Sequence, residues 1–202
     1  MEFISWTVLI YNSLPMMKSI REVSFYLLPL LILFTISCES SEVSETNGVV
    51  EHRKSPIVIS SITHGDTYVK IVYGQPYKRG RDIFGGLEPF GEVWRTGANE
   101  ATEITLTNDV YLDGNRVEAG TYSLFSIPEP NEWTIILNNQ LGQWGAFNYD
   151  RNYDYLRFQR PVIETEEVVE ALIITFEESD DYDSLLIISW NDTRVEIPVE
   201  FI

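Results

Sequence analysis

From Pro56 onward the chain is a succession of short β-rich runs, each closed by turn-forming residues, and this rhythm restricts the fold more than any other feature. Residues 57–62 form the first run, and His64-Gly65-Asp66 turns the chain into residues 67–73. There Tyr68, Lys70 and Val72 share one face and Val69, Ile71 and Tyr73 the other, the two-residue period of a strand. Residues 101–107 alternate in the same way, with Ile104 and Leu106 on one side. Residues 110–112 meet residues 116–118 through Asp113-Gly114-Asn115, a hairpin signal because such residues accept positive φ. Runs at 121–127 and 133–138 flank Pro128-Glu129-Pro130-Asn131. Runs at 155–160, 168–176, 185–190 and 194–201 complete the series, the last two joined by Asn191-Asp192-Thr193. The stretch nearest to a helical period, 164–171, runs directly into Leu172-Ile173-Ile174-Thr175-Phe176, which reads as strand. About nine or ten short strands predict an all-β fold: a single antiparallel β-sandwich or barrel-like domain over residues 56–202.

The residues ahead of this domain read as an export signal. Met17-Lys18-Ser19-Ile20-Arg21 is a short basic segment, and residues 23–37 are an apolar run interrupted by Pro29. A spanning helix needs about 20 apolar residues, so a signal-peptide core fits better. The run ends in Thr35-Ile36-Ser37-Cys38, the only cysteine, and polar sequence begins at once. This resembles a bacterial lipobox, with Ser37 in the small position before the acylated cysteine and Thr35 where leucine is usual. The expectation is a signal peptide over 1–37, with translation starting at Met16 or Met17. A lipid on Cys38 and a flexible Ser- and Glu-rich tether over 38–55 would follow. The expected address is the bacterial cell envelope, bound to a membrane, in the first instance the outer membrane, with the periplasmic or extracellular side left open.

Charge and composition narrow the function. With 31 acidic and 14 basic residues the formal net charge is -17, which opposes nucleic acid and anionic lipid surfaces alike. One cysteine and two histidines argue against a zinc site and exclude an internal disulfide. No Gly-x-Ser-x-Gly elbow is present, and no pattern asks for a metal or a cofactor. A second carboxylate at recognisable spacing, as a glycosidase needs, is not visible either.

One segment breaks the strand rhythm. From Gly74 to Thr102 the chain holds six of its twelve glycines together with Lys78, Arg79, Arg81 and Arg95, a concentration of positive charge in an acidic protein. Long loops inside compact domains are functional or disordered, and the aromatics Tyr77, Phe84, Phe90 and Trp94 argue for order. Trp94 is expected to be buried and to bring Arg95 toward the core, where a guanidinium needs carboxylate or carbonyl partners. Two arrangements follow. In one, Arg95 and Glu100 tie the loop to the sandwich while Asn99 bonds backbone in a turn. In the other, Arg95, Asn99 and Glu100 line a pocket with Lys78, Arg79 and Arg81 at its rim, suited to a carboxylate, a phosphate or a sugar. A desolvated Glu100 is the weak candidate for a general acid or base. Trp133, Trp144, Tyr149 and Tyr153 are either core or an aromatic platform.

Several stretches together carry a specific resemblance. Gln75-Pro76, residues 78–81, Ile83-Phe84-Gly85 and Val93-Trp94-Arg95-Thr96-Gly97-Ala98-Asn99-Glu100-Ala101-Thr102 resemble the signature of the domain of unknown function 2911. So do residues 119–125 with Ile127-Pro128, Glu132-Trp133-Thr134 through Asn138, Trp144-Gly145-Ala146, Tyr149, and Asp154 with Arg157. The resemblance implies an exported bacterial domain without an assigned activity and carries no catalytic residues over. The leading reading is therefore a membrane-anchored lipoprotein whose sandwich binds a small anionic or sugar-like ligand through the loop. The alternatives are a hydrolase or isomerase using Glu100, and a structural or protein-binding envelope module. Metabolic labelling with a palmitate analogue is expected to mark the wild-type chain and to be lost in Cys38→Ser; labelling that persists in that variant removes the lipid anchor.

Overall fold

The computed structural model describes residues 53–202; the leader, Met16, Met17, Cys38 and most of the expected tether lie outside the described residues. Nine strands follow in order: β1 (Ile57–His64), β2 (Thr67–Gly74), β3 (Thr102–Leu106), β4 (Val110–Leu112), β5 (Asn115–Val117), β6 (Gly120–Ile127), β7 (Glu132–Asn138), β8 (Asp154–Glu177) and β9 (Ser184–Phe201). A single 3₁₀ turn, Arg151–Tyr153, precedes β8. The strands form one antiparallel sheet in the order β1-β2-β3-β6-β7-β8-β9-β4-β5. It folds over on itself as a sandwich without closing into a barrel.

The alternation seen in β2 places Thr67, Val69, Ile71 and Tyr73 inward. From β3 come Ile104 and Leu106, and from β7 Trp133, Ile135 and Leu137. Leu172, Ile174, Leu186, Ile188, Val195, Ile197 and Val199 face them from the β8-β9 half, so both halves of the folded sheet share one core. The β4-β5 hairpin turns on Asp113 (φ 51°) and Gly114 (φ 71°), the two positive φ values of a tight two-residue loop.

The expected count of short strands holds, but two pairs of expected strands are continuous. Residues 155–160 and 168–176 belong to one strand of 24 residues, β8, and residues 185–190 and 194–201 to one of 18, β9. The polar stretches between them are irregularities inside a ladder rather than turns. The β8-β9 register shifts between Glu164 and Val169 and again between Val169 and Ile173. Opposite that break Asn191 takes φ 58°, and bulges of this kind bend and twist a strand. The bend lets β8 pair with β7 through Pro161 and with β9 from Val162 onward. The same two strands thereby form the fold line of the sandwich.

At the centre stand four aromatic rings. Trp94 stacks on Trp190 with centroids 5.9 Å apart, meets Trp133 edge-on at 5.8 Å, and packs against Phe84 at 5.8 Å. Phe84 meets Trp133 at 4.8 Å and Trp190 at 6.1 Å. Phe84 and Trp94 belong to the loop, Trp133 to β7 and Trp190 to β9, so one cluster fastens the loop to both halves of the sheet. Trp190→Ala is expected to cost about 3–5 kcal/mol in urea unfolding, the range for a buried aromatic. Trp144→Ala, at an exposed position, is expected to stay within about 0.5 kcal/mol. Equal costs for the two would remove the cluster from its central role.

Candidate functional site

The loop from Gly74 to Thr102 is ordered by backbone bonding along its whole length. Just beyond β2, Lys78 N donates to Glu170 O (2.7 Å) and Leu172 N donates to Pro76 O (3.0 Å), a short antiparallel bridge onto β8. A tight turn follows in which Leu87 N donates to Asp82 O (2.9 Å), Glu88 N to Ile83 O (2.9 Å) and Gly85 N to Glu88 O (2.9 Å). Trp94 then exchanges both backbone bonds with Ser126 of β6, and its indole N–H donates to Gly97 O (3.1 Å). The chain doubles back so closely that Ala98 N bonds Gly74 O, and a Cβ on Gly74 would lie 2.0 Å from Ala98 O; only glycine fits there.

The six candidate residues separate into three places. Lys78, Arg79 and Arg81 sit on one exposed turn. Lys78 Nζ donates to Arg81 O, Arg81 Nε to Lys78 O, and Arg79 donates its backbone N–H to Glu170 and a guanidinium N–H to Lys54 O. Asn99 and Glu100 face the segment after β7. Asn99 (φ 67°) accepts Gly145 N through its carbonyl, and Glu100 forms a backbone bridge with Trp144. The Glu100 carboxylate accepts two bonds from the Arg53 guanidinium, at 2.5 and 2.8 Å. Chiefly through these bonds its pKa lies below the usual carboxylate range, which makes it a poor proton donor. Arg95 is half-buried, and its Nε is buried without a partner among the described residues.

The carboxylate near Arg95 is one that sequence spacing does not single out. Burial pushes the Glu88 carboxyl up to about 7, while the charges of Arg95 and then Arg81 pull it back. Both cations act on Glu88 through their charge and not through a hydrogen bond. Its distance along the chain from Arg95 follows no motif, so only the folding of the loop brings the charges near each other.

The same turn builds one wall of a cleft of about 310 Å³. Asp82, Ile83, Phe84 and Phe90 come from the loop, Glu129 and Pro130 from the β6-β7 turn, and Trp133 from β7. Val162, Glu164, Asn191, Asp192 and Thr193 come from the bend of β8 and β9. Four of these residues are acidic and none is basic. Trp133 is 1% exposed and its indole N–H is buried without an acceptor among the described residues, whereas those of Trp94 and Trp190 donate to Gly97 O and Glu170 O. An unpaired buried donor costs about 1–3 kcal/mol. A smaller cleft of about 210 Å³, lined by Ile57, Val72, Tyr73 and Gly142, takes in Glu100 and Glu103.

The aromatic residues weighed for a platform divide. Trp133 is core, Tyr149 is half-buried, and Trp144 and Tyr153 are 60% and 47% exposed. Tyr149 donates to Asp154 at 2.7 Å, Arg157 Nε donates to the same carboxylate at 2.5 Å, and Asn138 Nδ2 donates to it at 2.9 Å. This satisfied network holds the segment after β7 against the outer face of the sheet. Among the described residues no group of three or more His, Cys, Asp or Glu is placed to hold a metal ion.

Glu88 has a pH signature. Unfolded it titrates near 4.5 and folded near 7, so between those values the folded chain keeps a proton that the unfolded chain releases. Its contribution to stability is complete below about 4.5 and is lost as pH rises through about 7. Glu88→Gln is expected to gain about 3 kcal/mol on the wild type near pH 8 and almost nothing near pH 4. The lowered carboxyls of Glu100, Asp109 and Glu177 titrate with the opposite sign but are common to both proteins and cancel in the difference. A difference in urea stability that does not change with pH removes the buried carboxyl.

No curated protein and no solved structure matches the chain. The family model described as "Protein of unknown function (DUF2911)" matches residues 55–199, a span that takes in the loop, the cleft and the aromatic cluster. The chain therefore belongs to the DUF2911 family of proteins of unknown function.

Proposed function

We propose that this protein is an exported lipoprotein, held at a bacterial envelope membrane through Cys38, whose sandwich binds a small hydroxyl-rich, sugar-like ligand with the loop from Gly74 to Thr102. The observation that carries the reading is a cleft lined by four carboxylates and by the aromatic residues Phe84, Phe90 and Trp133, with no cation. Hydroxyl groups suit the carboxylates of Asp82, Glu129, Glu164 and Asp192 as donors. Phe84 and Phe90 offer apolar ring faces for the C–H face of a sugar, with Phe90 40% exposed. An anionic ligand meets four carboxylates here and no cation, so the sugar-like class is favoured over carboxylates and phosphates. A simple cation leaves the ring faces of Phe84 and Phe90 uncovered.

The ligand-binding end of the loop is thus its 82–90 segment. Lys78, Arg79 and Arg81 support it by fastening their turn to β8 and to backbone carbonyls, and Asn99 and Glu100 by joining the segment after β7, while Arg95 acts on Glu88 through its charge. Glu100, ion-paired and ionised, is better suited to that tie than to hydrolase or isomerase chemistry.

Titration calorimetry with a panel of neutral mono- and disaccharides, organic phosphates and alkylammonium ions tests the class. Binding is expected for the neutral sugars. Phe90→Ala removes an exposed ring face from the cleft and is expected to weaken binding about tenfold, the cost of one lost ring contact. Binding confined to the phosphates, and abolished by Arg95→Ala in a folded chain, overturns this reading in favour of an anion site.

A further inference from the structure

The segment between β7 and β8 presents large apolar side chains to solvent. Phe147 is 85% exposed, Trp144 60% and Leu141 48%. Residues 139–149 include no charged side chain, in a chain of net charge -17. The segment is nevertheless rigidly held. Gly145 N donates to Asn99 O (2.8 Å), Ala101 N to Gln143 O (2.9 Å) and Gly142 N to the Glu103 carboxylate (3.0 Å). At Gly145 (φ 72°) a Cβ would come within 2.8 Å of the Phe147 ring, so the backbone is shaped to present that ring. Ordering large apolar side chains outward has no benefit for folding; it suits a surface that something else covers.

The place where the chain enters the domain identifies the cover. The described residues begin at Arg53, whose guanidinium is bound to Glu100, and Glu100 is the backbone partner of Trp144. The tether therefore joins the domain beside the exposed rings. Only fourteen residues lie between Cys38 and Arg53, a reach of at most about 50 Å when fully extended. A lipid on Cys38 keeps this face of the domain, more than any other, close to the bilayer. Trp and other amphipathic or aromatic side chains settle at the headgroup level, and an uncharged loop enters there without the cost that the acidic remainder would pay.

We propose that the segment carrying Leu141, Trp144 and Phe147 seats in the headgroup region of the zwitterionic bilayer to which Cys38 tethers the chain. The proposal rests on the lipid anchor of the preceding subsection. It makes the anchor and the aromatic segment a two-point attachment, since one weak contact is reinforced by a second at high effective concentration. It also fixes the orientation of the domain relative to the membrane.

The mature lipidated chain, reconstituted in phosphatidylcholine vesicles with acyl-brominated lipid, tests both points separately. Flotation reads the anchor, and tryptophan quenching reads the face, because Trp94, Trp133 and Trp190 are buried and Trp144 is exposed. The wild type is expected to float and to lose part of its emission to bromine. Trp144→Phe is expected to float without that quenching, and Cys38→Ser to stay in solution. A chain that floats with Trp144 unquenched overturns the face and leaves the anchor standing. Cys38→Ser that floats with Trp144 quenched upholds the face and overturns the anchor. A wild type that does not float overturns both. Unquenched Trp144 in a dimer that Phe147→Ser dissociates assigns the patch to a second copy instead.

Discussion

The contact among Phe84, Trp94, Trp133 and Trp190 is what the rest of the structure depends on. A sheet folded along two bent strands needs something large between its halves, and a long glycine-rich loop needs a reason to be ordered. The cluster meets both needs with the same atoms. Two rings come from the loop, one from β7 and one from β9. Each ring offers far more buried area than an aliphatic side chain, and edge-to-face and offset geometries add a little more. Once Trp94 is in place, its backbone exchange with Ser126 and its indole bond to Gly97 draw residues 94–102 into a compact turn.

The cleft is a by-product of that arrangement. With Phe84 fixed by the cluster, the turn 82–88 overhangs the bend in β8 and β9 and leaves a space floored by Trp133. The indole at the floor lacks the carbonyl partner that the other two buried indoles have. Charge is also sorted by the fold. Carboxylates line the cleft, while Lys78, Arg79 and Arg81 donate to backbone carbonyls instead. A composition that suggests an anion site from its local positive charge thus yields, in three dimensions, an acidic opening. The reason is that backbone carbonyls compete successfully for lysine and arginine side chains within a single turn.

Much of the fold is legible in the chain. The alternation in residues 67–73 assigns the inward face of β2, and Asp113-Gly114 fixes the β4-β5 hairpin because two positive φ values are needed there. The continuous strands β8 and β9 are not legible in this way. Asn191-Asp192-Thr193 has the composition of a turn, and composition does not distinguish a turn from a bulge whose partner strand continues opposite it. The site is less legible still. Asp82, Glu129, Glu164 and Asp192 look like solvated acids in the sequence, and the cleft they share with Trp133 is assembled from the loop, the β6-β7 turn, β7, β8 and β9.

By itself the sequence determined that this is an all-β domain, that the loop after β2 is ordered, and that the chain belongs with the family whose model matches residues 55–199. These are local properties: period, turn chemistry, aromatic content and motif. The tertiary structure decided which cations are occupied by backbone carbonyls, which carboxyl is buried, which indole is left unpaired and which aromatics face solvent. Those properties depend on what lies across the sheet or across the fold line from each side chain, and a pairing between residues tens of positions apart leaves no periodic trace in the sequence.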